Sequence, residues 1–259
     1  MPGEHPVSCP PELLAAARGL PPIRTAVVGA GSAVVMESVR DAVGAGFIEP
    51  LLIGDPEDIR EHAEALGFDI DPFHVDPAAS EKDAALKGAV HAASGRVAAL
   101  LKGHVHTDAF MVPLLDKKHG LRGGRRLSHV FHMSVVSRDK PLFITDGALN
   151  THPDIETKKA ILLNAVDLAH ALGLARPNVA LLSATEEVSD AIPSSGDARE
   201  LAAWASDNID SAQVFGPVAF DIAVSQEAAG IKGFAKPGAG EADIIVVPDI
   251  VSGNALFKM

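Results

Sequence analysis

Short apolar runs alternate with helical patterns along almost the whole chain, and this rhythm limits the fold more than any other feature. Arg24–Gly29 (RTAVVG), Glu49–Asp55 (EPLLIGD), Phe73–Pro77 (FHVDP) and Arg96–Gly103 (RVAALLKG) read as strands spaced about 25 residues apart. A helical stretch lies between each pair. Ala33–Val43 is the first. Asp55-Pro56 opens the second, with proline in its first turn. Ser80 and Asp83 form a capping-box signature for the third, which runs to Ala93. Parallel strands need crossovers of this length, so the pattern predicts βαβ units and an α/β fold. The Arg96–Gly103 run is apolar up to its Lys-Gly ending and predicts a strand buried on both faces.

The rhythm breaks between residues 117 and 150. Lys117–Arg126 (KKHGLRGGRR) is a basic loop. Leu127–Val136 and Pro141–Gly147 then read as an antiparallel pair joined by a turn at Ser137–Lys140. Beyond it the alternation resumes. Asp154–Leu172 is a long helix closed by Gly173, and Asn178–Ser183 is a strand. Gly196–Ser206 is a helix, and Ala219–Gly230 is another, ended by Gly230. Ala242–Asp249 is a strand, and Ser252–Met259 opens a further helix. The expected organisation is an N-terminal arm over residues 1–22, a first α/β domain over 23–145 and a second over 146–259.

Composition excludes several functions. The chain has no tyrosine and one tryptophan, Trp204, so base-stacking platforms are not expected. With 22 basic and 34 acidic residues its net charge is −12, which argues against a nucleic-acid binder. Cys9 is the single cysteine and leaves no internal disulfide or thiolate metal site. No apolar run approaches a membrane span and no signal peptide opens the chain, so a soluble cytoplasmic protein is expected.

Four segments could carry chemistry. Gly29-Ala30-Gly31 follows a strand, and Asp55 ends the next one, as in a dinucleotide site. The third glycine of that fingerprint is replaced by Val34, which favours a plain βα turn. Leu100–Phe110 (LLKGHVHTDAF) places Lys102, His104, His106 and Thr107 just past a strand, where α/β proteins bind ligands. A capped helix with surface histidines and an anion site at its N-terminus fit this segment equally. His104 and His106 lack a third ligand set by spacing, so no metal is assigned. In the basic loop, Lys117, Lys118, Arg122, Arg125 and Arg126 flank Gly123-Gly124, a flexible setting for guanidinium forks on phosphate, and Ser128 and His129 follow. A charge run is more often a solvated face. Asp146, Asn150 and Asp154 lie in a turn-rich stretch, and Ser183 with Glu186 reads as a capping box; both suit structural roles.

Taken together, LLKGHVHTDAF, RRLSHVFHMSV, FITDGALNTHPDIETKKAILLNAVDLAHALGLARPNVALLSATEEV, GPVAFDIAVSQEAAGIKG and GEADIIVVPDIVSGNALFKM resemble the phosphate acetyltransferase/phosphate butyryltransferase family. The likeness begins near residue 12, and PELLAAARGLPPIRTAVV is similar to the form that follows an enoyl-CoA-hydratase-like domain in fusion proteins. The resemblance implies two α/β domains with a cleft between them, in the isocitrate-dehydrogenase-like architecture. It implies reversible acyl transfer between acyl-CoA and phosphate, giving acyl phosphate and coenzyme A, without metal or redox cofactor, in a homodimer. It implies that Lys102, Thr107, Arg125 or Arg126, and Ser128 line the phosphate side of the cleft; His106, His129 and Asn150 complete the expected substrate-binding set. Cys9, in the arm, is a poor acyl carrier, and transfer within a ternary complex is expected. No catalytic residue is assigned. In the family the Ser-Arg…Asp group that activates the thiol follows GNALFKM, so the resemblance implies a longer chain and little activity for the 259-residue form. The alternatives are an NAD(P)-dependent dehydrogenase of similar architecture and a non-catalytic relative that binds acyl-CoA.

Overall fold

A computed structural model describes residues 9–119, 121, 123–135 and 138–259. Residues 1–8 of the arm, Arg122 of the basic loop, and Val136 and Ser137 of the expected strand and turn lie outside these. The chain divides into two compact units, Met1–Gly124 and Arg125–Met259. The division falls earlier than the 145/146 boundary read from the sequence. The antiparallel pair is the reason: Phe143 stands in register with Ile244, which ties the pair into the second sheet. Among the described residues, no helix is long and apolar enough to cross a membrane.

The first unit contains α1 (Pro11–Ala17), β1 (Ile23–Val28), α2 (Ala33–Gly44), β2 (Ile48–Gly54), α3 (Pro56–Ala65), β3 (His74–Pro77), α4 (Glu81–Ala93), β4 (Ala99–Lys102) and α5 (Thr107–Leu115). Its strands form a parallel sheet in the order β3-β2-β1-β4. Period-two alternation along β1 sends Ala26 and Val28 to one face, against Ala84 and Ala85 of α4. Val27 faces the other side, with Met36, Val39 and Ile59 of α2 and α3. The α4 helix lies so close that a Cβ on Gly88 would stand 2.6 Å from Val28 Cγ2. Asp55 caps α3 by accepting from Glu57 N, and Ser80 caps α4 by accepting from Asp83 N. The capping box closes one residue early: the Asp83 carboxylate accepts from Ala79 N.

One expectation for this unit fails. β4 is not a strand buried on both faces. It pairs with β1 alone among the described residues and stands at the sheet edge, with Leu101 38% exposed. A continuous apolar run does not distinguish a central strand from an edge strand covered on one side. At the opposite edge, the Asp76 carboxylate on β3 holds Lys87 Nζ at 2.9 Å and the buried His91 Nε2 at 2.8 Å, both from α4. Partial burial pushes the Asp76 carboxyl up, but the hydrogen bonds and charges of Lys87 and His91 outweigh it and hold the group below its usual range.

The second unit contains β5 (Phe131–Met133), β6 (Leu142–Thr145), α6 (Ile155–Ala171), β7 (Asn178–Leu182), α7 (Pro193–Asn208), β8 (Gln213–Val218), α8 (Phe220–Val224), α9 (Gln226–Ile231), β9 (Ile244–Val246) and α10 (Ile250–Lys258). The strand order is β5-β6-β9-β7-β8, parallel except for β5. α6 and α7 cover Phe143, Val179, Leu181, Ile244 and Val246 on one face. α8 and α9 cover Leu142, Ile144, Ala180, Phe215 and Ile245 on the other. The sequence reading misses β8, because Gly216-Pro217 interrupts it; proline, which cannot donate to a ladder, is tolerated at this edge. The single helix expected over 219–230 is two. Ser225 ends α8 and caps α9 by accepting from Ala228 N, and Gly230 lies inside α9. Ser183 and Glu186 form no capping box. Ser183 Oγ meets Ser194 Oγ at 3.0 Å, and the Glu186 carboxylate accepts from Ala219 N at 3.4 Å.

The turn after β6 and the first turns of α10 meet backbone to backbone. A Cβ on Gly253 would fall 2.6 Å from Gly147 Cα, whereas one on Gly196 of α7 would meet nothing within 4 Å. Gly253→Ala is expected to destabilise the second unit by about 1–3 kcal/mol. Gly196→Ala should be neutral or stabilising by up to about 1 kcal/mol. Urea unfolding of both variants checks the pair. A second test concerns Asp76. A depressed carboxyl contributes stability that is complete above its unfolded value of about 3.9 and is lost as pH falls through the folded value. Asp76→Asn should therefore lower the melting temperature at pH 7, and the gap to the parent should close below pH 4, as read by thermal scans across pH.

Candidate active site

In the second unit, polar groups gather outside the carboxyl ends of β6 and β9, where the chain order reverses across the sheet. Asp146 follows β6 and is 2% exposed. One carboxylate oxygen accepts from Ala148 N and Leu149 N, each at 2.9 Å. The other accepts from Asn150 N at 3.3 Å and Asn150 Nδ2 at 2.7 Å. Asn150 Nδ2 also donates to Leu127 O at 3.0 Å, which fixes the orientation of the amide. Asn150 Oδ1 is then left to accept from Arg126 Nε at 3.2 Å. The Nη1 and Nη2 groups of Arg126 have no hydrogen-bond partner among the described residues. They form the open edge of a guanidinium fork, the geometry that suits a phosphate oxygen pair. Asp154 caps α6 nearby; hydrogen bonds from Thr157, aided by the Arg126 charge, hold its carboxyl below the usual range.

Asn164 fastens the same segment from α6. Its Nδ2 donates to Arg126 O at 2.9 Å and to Ser128 Oγ at 2.8 Å. Its Oδ1 accepts from Arg125 Nη1 at 3.2 Å. Arg125 also pairs with Asp167, three residues along α6, at 2.5 Å. Arg125 is thereby turned onto the helix, while Arg126 keeps its outer edge open. His129 is held through its backbone, whose carbonyl accepts from the buried Thr145 Oγ1 at 2.8 Å. Its ring lies 4.2 Å from that of Phe131, which stacks on Phe257 at 3.7 Å. His129 Nδ1 is buried without a partner among the described residues, so Nε2 is the atom left to hydrogen-bond.

In the first unit the remaining candidates cluster after β4. Lys102 Nζ donates to Val105 O at 2.8 Å. His106 precedes α5, and both its N–H and its Nδ1 meet the Glu81 carboxylate, at 3.0 and 2.8 Å. The backbone hydrogen bond, then the ring hydrogen bond, holds the Glu81 carboxyl below its usual range. Glu81 thus takes one of the free N–H groups at the start of α5. The His106 side chain is 87% exposed, and Thr107 begins the helix at the surface.

The Gly29 turn serves packing. Gly29 has φ +77°, and a Cβ there would lie 2.7 Å from Val105 Cγ1. A Cβ on Gly103 would fall 2.4 Å from Gly29 O, so these glycines let two βα turns touch. Val34 is 74% exposed and packs against no strand. The adjoining cavity, about 310 Å³, is bordered by Asp55, Asp58 and Glu81, which oppose a pyrophosphate.

Arg126, Ser128 and Asn150, all expected at the site from the sequence, meet in one network. Asp146 fills the turn role its sequence context suggests and also orients Asn150. Asn164 is not among the residues expected at the site, although a lone amide within the apolar run ILLNAV is a visible signal.

Residues 78–259 match the family model described as Phosphate acetyl/butaryl transferase. A phosphate acetyltransferase of Rickettsia prowazekii (strain Madrid E) is 43% identical over 251 residues, covering 95% of this chain and 71% of that protein. A phosphate butyryltransferase of Clostridium acetobutylicum is 38% identical over 236 residues, covering 91% of this chain and 78% of that protein. The crystal structure of a branched-chain phosphotransacylase from Enterococcus faecalis V583 superposes with a TM-score of 0.77 at 30% identity, covering 91% of this chain and 83% of the other.

The acidic surroundings of Gly29–Gly31 yield a prediction. Calorimetric titration with NAD or NADP is expected to show no saturable binding in the micromolar range. Micromolar binding that Gly31→Trp abolishes would assign the turn to a dinucleotide after all.

Proposed function

The chain belongs to the phosphate acetyl/butyryl transferase family, and from that membership we propose that it transfers an acyl group reversibly between coenzyme A and inorganic phosphate. In one direction a phosphate oxygen adds to the thioester carbonyl, the tetrahedral intermediate collapses, and the thiolate of coenzyme A leaves and takes a proton. The products are an acyl phosphate and free coenzyme A. No oxidation state changes, so the two substrates suffice and no resident cofactor is invoked. The same membership supports a homodimer working in the cytoplasm.

The open guanidinium edge of Arg126 carries the site assignment. Arg126 anchors a non-bridging pair of phosphate oxygens, and Ser128, held by Asn164, adds a hydroxyl donor. Arg125 and Asn150 act through position, the first by tying the segment to α6 and the second by aiming Arg126. In the first unit, Lys102 and Thr107 offer an ammonium and a hydroxyl to an anion, while His106 is committed to Glu81. His129 can present only Nε2. A dehydrogenase reading is weaker, because the turn that would hold the dinucleotide is acidic.

The direct test is release of free thiol from acetyl-CoA or butyryl-CoA by the purified protein. Release is expected only when phosphate is present; release without it would make the protein a thioesterase. Arg126→Lys keeps the charge but loses the fork. It should raise the KM for phosphate about 10–100-fold, the value of one or two charge-assisted hydrogen bonds. An unchanged KM for phosphate would remove Arg126 from the anion site.

A further inference from the structure

The first sheet carries a second cavity at its amino-terminal edge, with a volume of about 370 Å³. β1 contributes Arg24, β2 Glu49 and β3 His74; Phe73 and Pro72 come from the turn before β3, and Arg96 from the approach to β4. The strand order β3-β2-β1-β4 sets these groups in a line. An aromatic and apolar wall stands at one end, a carboxylate in the middle and two guanidinium groups at the other. Arg24 and Arg96 belong to neighbouring segments, since Ala98 N donates to Arg24 O at 2.8 Å.

None of the side chains of Arg24, Glu49, His74 and Arg96 has a hydrogen bond or ion pair among the described residues. Exposed charges are usually a solvated face. Here, however, two guanidinium groups share one concavity in a chain of net charge −12. Glu49, next to Arg24 in register, does not pair with it. With the Glu49 carboxylate held off both, the two guanidinium groups keep their hydrogen-bonding edges open to an anion. The volume is that of a small-molecule site.

We propose that this cavity binds a small organic phosphate of the nucleoside monophosphate class. The phosphate lies between Arg24 and Arg96, a sugar hydroxyl donates to Glu49, and the flat base rests on Phe73 and Pro72 beside His74. At about 3.3 Å per residue along β1, Arg24 is roughly 17 Å from Gly29. The occupant therefore does not reach the carboxyl edge of this sheet, and it acts as an effector.

The probe is adenosine monophosphate, titrated calorimetrically into the protein with saturating coenzyme A present, so that any adenylate subsite for that substrate is filled. Saturable binding is expected, at least tenfold weaker in the Arg24→Gln/Arg96→Gln double variant and unchanged in Arg60→Gln. Adenosine and inorganic phosphate should each bind more weakly than the monophosphate, and circular dichroism should show the double variant folded. No saturable binding, or equal binding by the double variant, overturns the proposal. Equal binding of adenosine overturns the placement of the phosphate.

Discussion

The second unit is organised around one buried carboxylate. A carboxylate removed from water is costly unless its lone pairs are met, and at Asp146 four N–H groups from Ala148, Leu149 and Asn150 meet them. That requirement dictates the path of residues 146–150. It turns the Asn150 amide so that the nitrogen faces Asp146 and Leu127 and the oxygen faces Arg126. It also brings Gly147 to within backbone contact of Gly253, where a side chain on either residue would collide. Loop, arginine and α10 are thus set by a single electrostatic constraint, and a change at any one of them is felt by the others.

Both units pair charges, as Lys140 does with Asp243 and Lys158 with Asp197 in the second, but around the candidate residues they use polar groups differently. In the second, amides of Asn150 and Asn164 act as adaptors: each donates and accepts, so each joins groups that could not bond directly. Of the charged members, Arg126 is left with spare capacity toward solvent. In the first unit, charge is matched locally, with Glu81 on His106 and Asp76 on Lys87 and His91. Those pairs stabilise turns and helix ends.

Most of the fold was legible because period-two strands and capped helices leave local signatures. Ser80, Asp55 and Asp154 all cap helices at the positions the sequence suggested. What was lost involves long-range facts or masked signals. β8 was hidden by Gly216-Pro217, and the break at Ser225 was hidden by a helical pattern continuous across it. The apolar content of β4 could not reveal its edge position, which depends on strands far away in sequence. For the site, residue types were readable and partners were not. Nothing in the order of residues tells that Arg125 turns onto Asp167 while Arg126, its neighbour, is aimed by Asn150. Those pairings span 42 and 24 residues and exist only once the sheet has formed.

The overall charge gives these pairings their weight. At net charge −12 the chain as a whole repels the phosphate and acyl-CoA it is proposed to bind. At physiological salt that repulsion is screened beyond about 8 Å, so it does not bar approach, but neither does the protein's field gather substrate. Affinity must then come from short, directed hydrogen bonds made by a few cations whose orientation is fixed beforehand. A mobile arginine on such a surface would be drawn to the nearest carboxylate, as Arg125 is to Asp167. Arg126 escapes that fate although Asp154 lies close, because Asn150 holds its Nε and Asp146 holds Asn150. The buried carboxylate, by fixing a neutral amide, keeps a guanidinium open in an acidic protein.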